Sequence, residues 1–213
     1  MTHPRSDDDD RLSTGIAMAV ASLPLLALTG AAVAMEARLR VPMNCTWKPA
    51  RLRGGARSPS SLIWIVVHCT ESDAGGALGV ANYFQSESSG GSTQLVVGED
   101  GCYRCVGDLE TPAGAPGAND RGLHIEIVGR ASWTREQWLS RARTLGLASR
   151  AIAEWARTYR IPIRYVNAQG LKQGVPGVTT HADVSVAFKK SDHMDPGKNF
   201  PLEHVLTDAS AMV

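Results

Sequence analysis

The sequence has no excess of charge of either sign. Twenty-two Lys and Arg oppose 21 Asp and Glu, a formal net charge of +1. That balance excludes a protein that grips nucleic acid through a broad basic field. No internal repeat is visible, and no separate binding domain follows Leu206. Cysteine is sparse, at positions Cys45, Cys69, Cys102 and Cys105. An even count permits two disulfides without requiring them. A chain of 213 residues with 43% apolar side chains buries a core without such staples. The cysteines therefore do not identify a compartment.

Charge is also missing locally. No charged residue stands between Arg11 and Glu36, and the Ala- and Leu-rich run of about residues 13–35 is long enough to span a bilayer. It ends in Ala32-Val33-Ala34, after the helix breaker Gly30, and so resembles a cleavable signal. The acidic run Asp7 to Asp10 fits a signal poorly, and a basic cluster from Arg38 to Arg53 follows the apolar run. A cleaved signal, a retained anchor and a later start at Met35 or Met43 all stay open. Residues 1–41 are read as an extension, and the Arg-, Gly- and Pro-rich residues 42–60 as a linker.

Beyond the linker the periodicity changes with each segment. Leu62 to Cys69 is a short β-branched run and reads as a buried strand. Ala77 to Gln85 reads as a helix with Ser72 or Asp73 near its start. Thr93 to Gly98 and Cys102 to Gly107 read as a hairpin turning at Asp100-Gly101. Leu109 to Asp120 has the Pro, Gly and Asn content of an irregular loop. Gly122 to Gly129 alternates cleanly, with Leu123, Ile125 and Ile127 on one face and His124, Glu126 and Val128 on the other. Thr134 opens the longest helix, with Gln137 completing a capping box. Its buried stripe is Trp138, Ala142, Leu145, Ile152, Trp155 and Tyr159. Pro162 stops it, Ile161 to Val166 is expected to be a strand, and Gly174 to Pro201 to be loop. A short ordered segment is expected at Leu202 to Leu206. Strands alternating with helices give an α/β fold, one domain with a central mixed β-sheet flanked by helices.

The polar residues at strand ends carry the chemistry. His68 closes the first strand, Glu126 lies on the polar face of GLHIEIVG, His181 lies in GVTTHADVS, and Asp195 in SDHMDPGKNFP. Two His and one carboxylate are a frequent ligand set for catalytic zinc, with a fourth position left for water. A carboxylate outside that set can take the water's proton. Spacing alone does not select this reading, because a lone His at a strand end is more often structural. There is no His-Glu-x-x-His, which excludes a zincin helix. Cys102-x-x-Cys105 with His124-x-Glu126 runs in the reverse order for a zinc deaminase.

With those residues in view, Leu62 to Leu206 resembles the type 2 N-acetylmuramoyl-L-alanine amidases, the family of phage lysozyme-type amidases and peptidoglycan recognition proteins. Four blocks carry the resemblance in order: IVVHCTES, TQLVVGEDGCYRCV, GAPGANDRGLHIEIVG and GVTTHADVSVAFKKSDHMDPGKNFP. The resemblance implies an amidase catalytic domain over residues 61–207, with 208–213 as a tail. It implies Zn2+ on His68, His181 and Asp195 at the strand ends, with Glu126 as the catalytic base. Asn119 and His124 are candidates for substrate contact, although an Asn in a Gly/Pro loop is more often turn chemistry, and His124 equally reads as a satisfied, partly buried histidine.

Three departures from the family pattern stand out. Gln94-Leu95 occupies the place of a frequent His-Tyr pair, which shifts weight onto Glu126. Gly114 or Ala115 stands where a His is common. His193 stands where many members have a Lys that stabilises the oxyanion; an imidazolium there can donate the same hydrogen bond. The expected activity is hydrolysis of the amide between N-acetylmuramic acid and L-alanine in peptidoglycan, as a cell-wall lytic or endolysin-like enzyme. A non-catalytic peptidoglycan-binding module and a recycling amidase for soluble anhydromuramyl peptides are the alternatives. A monomer acting in the cell envelope or outside the cell is expected, without nucleic acid, and with membrane association through the apolar segment as an option.

Overall fold

The computed structural model describes residues 43–213. The apolar run of residues 13–35 and the rest of the extension lie outside them. Among the described residues no helix is long and apolar enough to cross a membrane.

The strands are β1 (Thr46–Trp47), β2 (Trp64–Cys69), β3 (Leu95–Gly98), β4 (Gly101–Arg104), β5 (Gly122–Ile127) and β6 (Gly177–Thr180). They form one sheet in the order β1-β4-β3-β5-β2-β6. Only β3 and β4 pair antiparallel; the other neighbours are parallel. The helices are α1 (Gly76–Gln85), α2 (Arg135–Leu139), α3 (Ala142–Tyr159), α4 (Ala168–Lys172), α5 (His181–Phe188) and α6 (Leu202–Ser210). The mixed sheet with flanking helices is the α/β architecture expected from the sequence.

β2 lies between β5 and β6, which explains its composition. A central parallel strand covered on both faces reads as a continuous apolar run, and all six residues of WIVVHC are buried. On one face Ile65, Val67, Leu123, Ile125 and Ile127 pack with Leu145, Ile152 and Trp155 of α3 and Val205 of α6. On the other face α1 covers the β3–β4 side, with Ala77, Ala81 and Phe84 against Val96 and Val128. α5 covers the β2–β6 side of that face, with Val184 and Ala187 against Trp64 and Val66. Between these two helices the row of β2 and β5 is polar, and the site forms there.

Several elements differ from expectation, each for a local reason. The Thr134/Gln137 capping box is present, but it opens only the short α2. Arg141 leaves the helical region at φ −96°, ψ 52°, so the long helix restarts at Ala142, which is exposed rather than part of the buried stripe. α1 is not capped by Ser72 or Asp73. Asp100, from the hairpin turn, accepts the N–H groups of Ala77 at 2.8 Å and Leu78 at 2.9 Å.

Ile161 to Val166 is not a strand. It makes a single bridge, Tyr165 to Val178. The stretch expected as loop from Gly174 to Pro201 instead contains β6 and α5, with the Thr180 side chain accepting the Asp183 N–H at the helix start. The segment at Leu202 extends through Ser210 as α6. Part of residues 42–60 lies on the sheet: β1 pairs with β4, Ala50 is buried, and Cys45 is disulfide-bonded to Cys102. Cys69 and Cys105 are free and buried.

Candidate metal centre

Sheet register assembles the site. His68 on β2 stands opposite Glu126 on β5, and Val66 opposite His124. Alternation turns His68, His124 and Glu126 to the same face. β6 ends at Thr180, so His181, the first residue of α5, emerges beside β2. Asp195 arrives on the following loop. Its carbonyl accepts the Ala182 N–H at 3.0 Å, and its Oδ2 accepts the Cys69 N–H at 3.3 Å. The carboxylate is thus tied to both elements that present the histidines.

Three side chains converge. The Nδ1 atoms of His68 and His181 lie 3.1 Å apart. Asp195 Oδ1 is 3.1 Å from His181 Nδ1, and Asp195 Oδ2 is 3.4 Å from His68 Nδ1. All three residues are buried. Two imidazole nitrogens this close, facing a carboxylate, present several lone pairs to one point, and at most one proton fits between the nitrogens. A cation satisfies all of them at once. Ligands held at roughly 2.0–2.1 Å around a tetrahedral zinc are separated by about 3.3 Å, which matches the separations found. The donor set therefore fits a metal ion.

Electrostatics are consistent with this placement. Burial lowers the proton affinity of His68, and Asp195 opposes that effect. For Asp195 burial acts upward, but hydrogen bonds from His181 and His68 outweigh it and hold the carboxyl well below its ordinary range. Glu126 moves the other way. Burial, then the negative charges of Asp195 and Glu71, push it well above the ordinary carboxylate range. The residue is half-buried at the cleft wall, yet its Oε2 is sealed from solvent and has no hydrogen-bond partner. A carboxylate with an unspent oxygen at the wall of a cleft is equipped to take a proton.

The centre opens into a cleft of about 760 Å³. Glu126, His193 and Asn119 line it. His193 is the exposed partner of the group, with its side chain 60% accessible and its Nδ1 3.4 Å from Asp195 Oδ1. Asn119 spends its Oδ1 on the N–H groups of Gly114 at 3.1 Å and Ala115 at 2.8 Å, which fixes the loop that forms one wall. His124 does not reach the cleft surface. It is fully buried behind His68, with its Nδ1 3.0 Å from His68 Nε2. Burial first, then the neighbouring His68, hold its pKa well below the ordinary imidazole value.

The structure gives Gln94 a role and adds Glu71, Ser191 and Arg57, which sequence reasoning passed over. Gln94, fully buried, accepts the His124 N–H at 2.8 Å and donates to the Glu110 carbonyl at 3.1 Å, so it props β5 behind the site. Leu95 faces the opposite core, so neither residue of this pair presents a phenol to the cleft. Glu71 lines the cleft with a left-handed backbone, φ 53°, and accepts the Ala131 N–H at 3.1 Å. Ser191 Oγ lies 3.4 Å from His181 Nε2. Glu71, an acidic residue two positions past the end of β2, carries a sequence signal in that placement; nothing in the sequence marks Ser191. From the other side Arg57 donates to the carbonyls of Asn119 and Gly122, both at 2.6 Å, and fastens the Asn119 loop to the start of β5.

The family model described as N-acetylmuramoyl-L-alanine amidase matches residues 59–198. Among solved structures the chain is similar to Staphylococcus aureus hydrolase AmiA in complex with its ligand, at 18% identity and a TM-score of 0.61, over 85% of this chain and 89% of that one. It is similar to PlyL at 14% identity and a TM-score of 0.54, over 78% and 97% of the two chains. It is also similar to a mutant endolysin from Bacillus subtilis at 15% identity and a TM-score of 0.52, over 80% and 99%. At such identities these likenesses show the fold. No curated protein sequence matches.

Proposed function

The chain belongs to the N-acetylmuramoyl-L-alanine amidase family, and on that premise we propose that it is a zinc-dependent enzyme that cuts the amide between N-acetylmuramic acid and L-alanine in peptidoglycan. The observation that supports this most is the meeting of His68 Nδ1, His181 Nδ1 and Asp195 in one buried cluster, with the sealed Glu126 oxygen in register opposite His68. A module that only bound peptidoglycan would have no use for a carboxylate kept at that cost.

His68, His181 and Asp195 would hold the ion. Zinc bound there supplies Lewis acidity toward the lactyl carbonyl and lowers the pKa of water to about 7. The cleft positions the muramyl peptide along its walls. Glu126 accepts the proton of the attacking water and returns it to the alanine nitrogen as the amide breaks. His193 donates a hydrogen bond to the developing oxyanion. We place this activity in the cell envelope or outside the cell, where intact wall is met.

The test is release of free L-alanine amino termini from purified sacculi. Release should stop on chelation and return with stoichiometric zinc. Release that is indifferent to chelation contradicts the zinc reading.

A further inference from the structure

The face of His68 turned away from the cluster is the informative one. His68 Nδ1 points at His181 and Asp195. A ring that gives its Nδ1 lone pair to a cation carries its proton on Nε2. That Nε2 lies 3.0 Å from His124 Nδ1, deep in the protein, with His68 2% and His124 0% exposed. We propose that His124 is a positioning residue, whose Nδ1 accepts the His68 Nε2 proton and fixes the tautomer in which His68 can bind zinc. Ligating histidines ordinarily give this second proton to a carboxylate, a carbonyl or water. Here a third histidine takes that place.

The surroundings are arranged for this ring. A Cβ at Gly114 would fall 2.6 Å from His124 Nδ1, and one at Gly122 would fall 2.9 Å from its Nε2. Glycine on each side leaves the ring room. Gln94 fixes the strand beneath it through the His124 N–H. With Nδ1 accepting, the His124 proton must sit on Nε2. That atom has no partner in good hydrogen-bond geometry, although the Ala118 backbone lies on that side of the ring. The ring's Nδ1 has His68 Nε2 as its hydrogen-bond partner.

This inference rests on the zinc reading, and the two fail differently. Zinc affinity is measured by chelator competition in the wild type, His124→Asn and His124→Leu, with the absorption spectrum of the Co2+-loaded proteins as the readout of ligand geometry. Asn places its Oδ1 one bond from Cγ, where His places Nδ1, and so keeps the acceptor. Leu removes it at similar bulk. His124→Leu is expected to lose roughly 10- to 100-fold in zinc affinity and to alter the Co2+ spectrum. His124→Asn is expected to stay within about threefold of the wild type, with the parent spectrum. Should His124→Leu fold poorly, Gly114→Ala leaves the imidazole in place but displaces it, and is expected to show a similar loss. A wild type that binds no zinc overturns the zinc reading itself. A zinc-loaded wild type with unaffected His124→Leu or Gly114→Ala overturns only the role of His124, as does equal loss in Asn and Leu.

Discussion

The rings of His181 and His193 are stacked, with centroids 4.3 Å apart and planes inclined by 15°, and both Nδ1 atoms approach the same Asp195 oxygen, at 3.1 and 3.4 Å. The two histidines differ in exposure. The His181 side chain is 4% accessible and that of His193 is 60%. Asp195 also accepts from the Cys69 backbone and faces His68. On the proposed reading Asp195, tied down on every side, is the ligand, and the exposed His193 faces substrate.

The consequence separates the two neighbours in one loop. His193→Ala is expected to keep about one zinc per chain while turnover falls about 100-fold. Asp195→Ala is expected to lose zinc. Metal analysis of the two purified variants, side by side, checks the assignment; the opposite pattern would exchange their roles.

Glu126→Gln tests the base through stability as well as rate. Turnover should fall by about 100-fold or more with zinc retained. In the metal-free protein the Glu126 carboxyl holds its proton more tightly folded than unfolded. As pH rises through the unfolded value, near 4.3, the unfolded state ionises first and gains on the folded state. Folding stability falls between the unfolded and folded values and stays lower above them. Gln removes that penalty, so the metal-free variant should melt higher than the parent at pH 7, by roughly 2–4 °C for each kcal/mol recovered. The difference should vanish below about pH 4. An unchanged or lower melting point at pH 7 would contradict the sealed carboxylate.

The disulfide gives a separate prediction. Cys45 and Cys102 are 57 residues apart in sequence, and closing a loop of that length restricts the unfolded chain by about 4 kcal/mol in the chain-entropy model. Cys45→Ser is expected to lower stability by about 2–4 kcal/mol under oxidising conditions, and reductant should have a similar effect on the wild type. Burial raises both remaining thiols, Cys105 to about 12 and Cys69 still further. Thiol titration should find two reactive groups after denaturation and none before it. Four reactive groups in denatured, unreduced protein would exclude the bridge.

Much of the site was legible because it lies on strands whose alternation is simple. His124 and Glu126 share a face in the sequence and in the sheet, opposite the core residues Leu123, Ile125 and Ile127. The hairpin turns at Glu99-Asp100, one residue before the expected Asp100-Gly101, with Gly101 already paired to Gly98. What stayed hidden depended on tertiary partners. β6 is four residues, GVTT, beginning at a glycine, and only its pairing with β2 makes it a strand. α5 follows it without a clear apolar stripe, since one side meets Val66 and Trp64 while the His181 end faces His68 and Asp195. The Asp100 cap on α1 comes from more than 20 residues away. His124 showed its alignment with Glu126 but not its depth, because alternation gives a face and not the distance to solvent.

The central claim is the bond that is cut. Mass spectrometry of the products from purified sacculi, digested by the zinc-loaded protein, reads it directly. The expected products are stem peptides with a free amino-terminal L-alanine and glycan strands whose muramic acids keep an unsubstituted lactyl carboxylate. Peptides still joined to muramic acid, with new reducing sugar ends or with cuts inside the stem, would contradict the account.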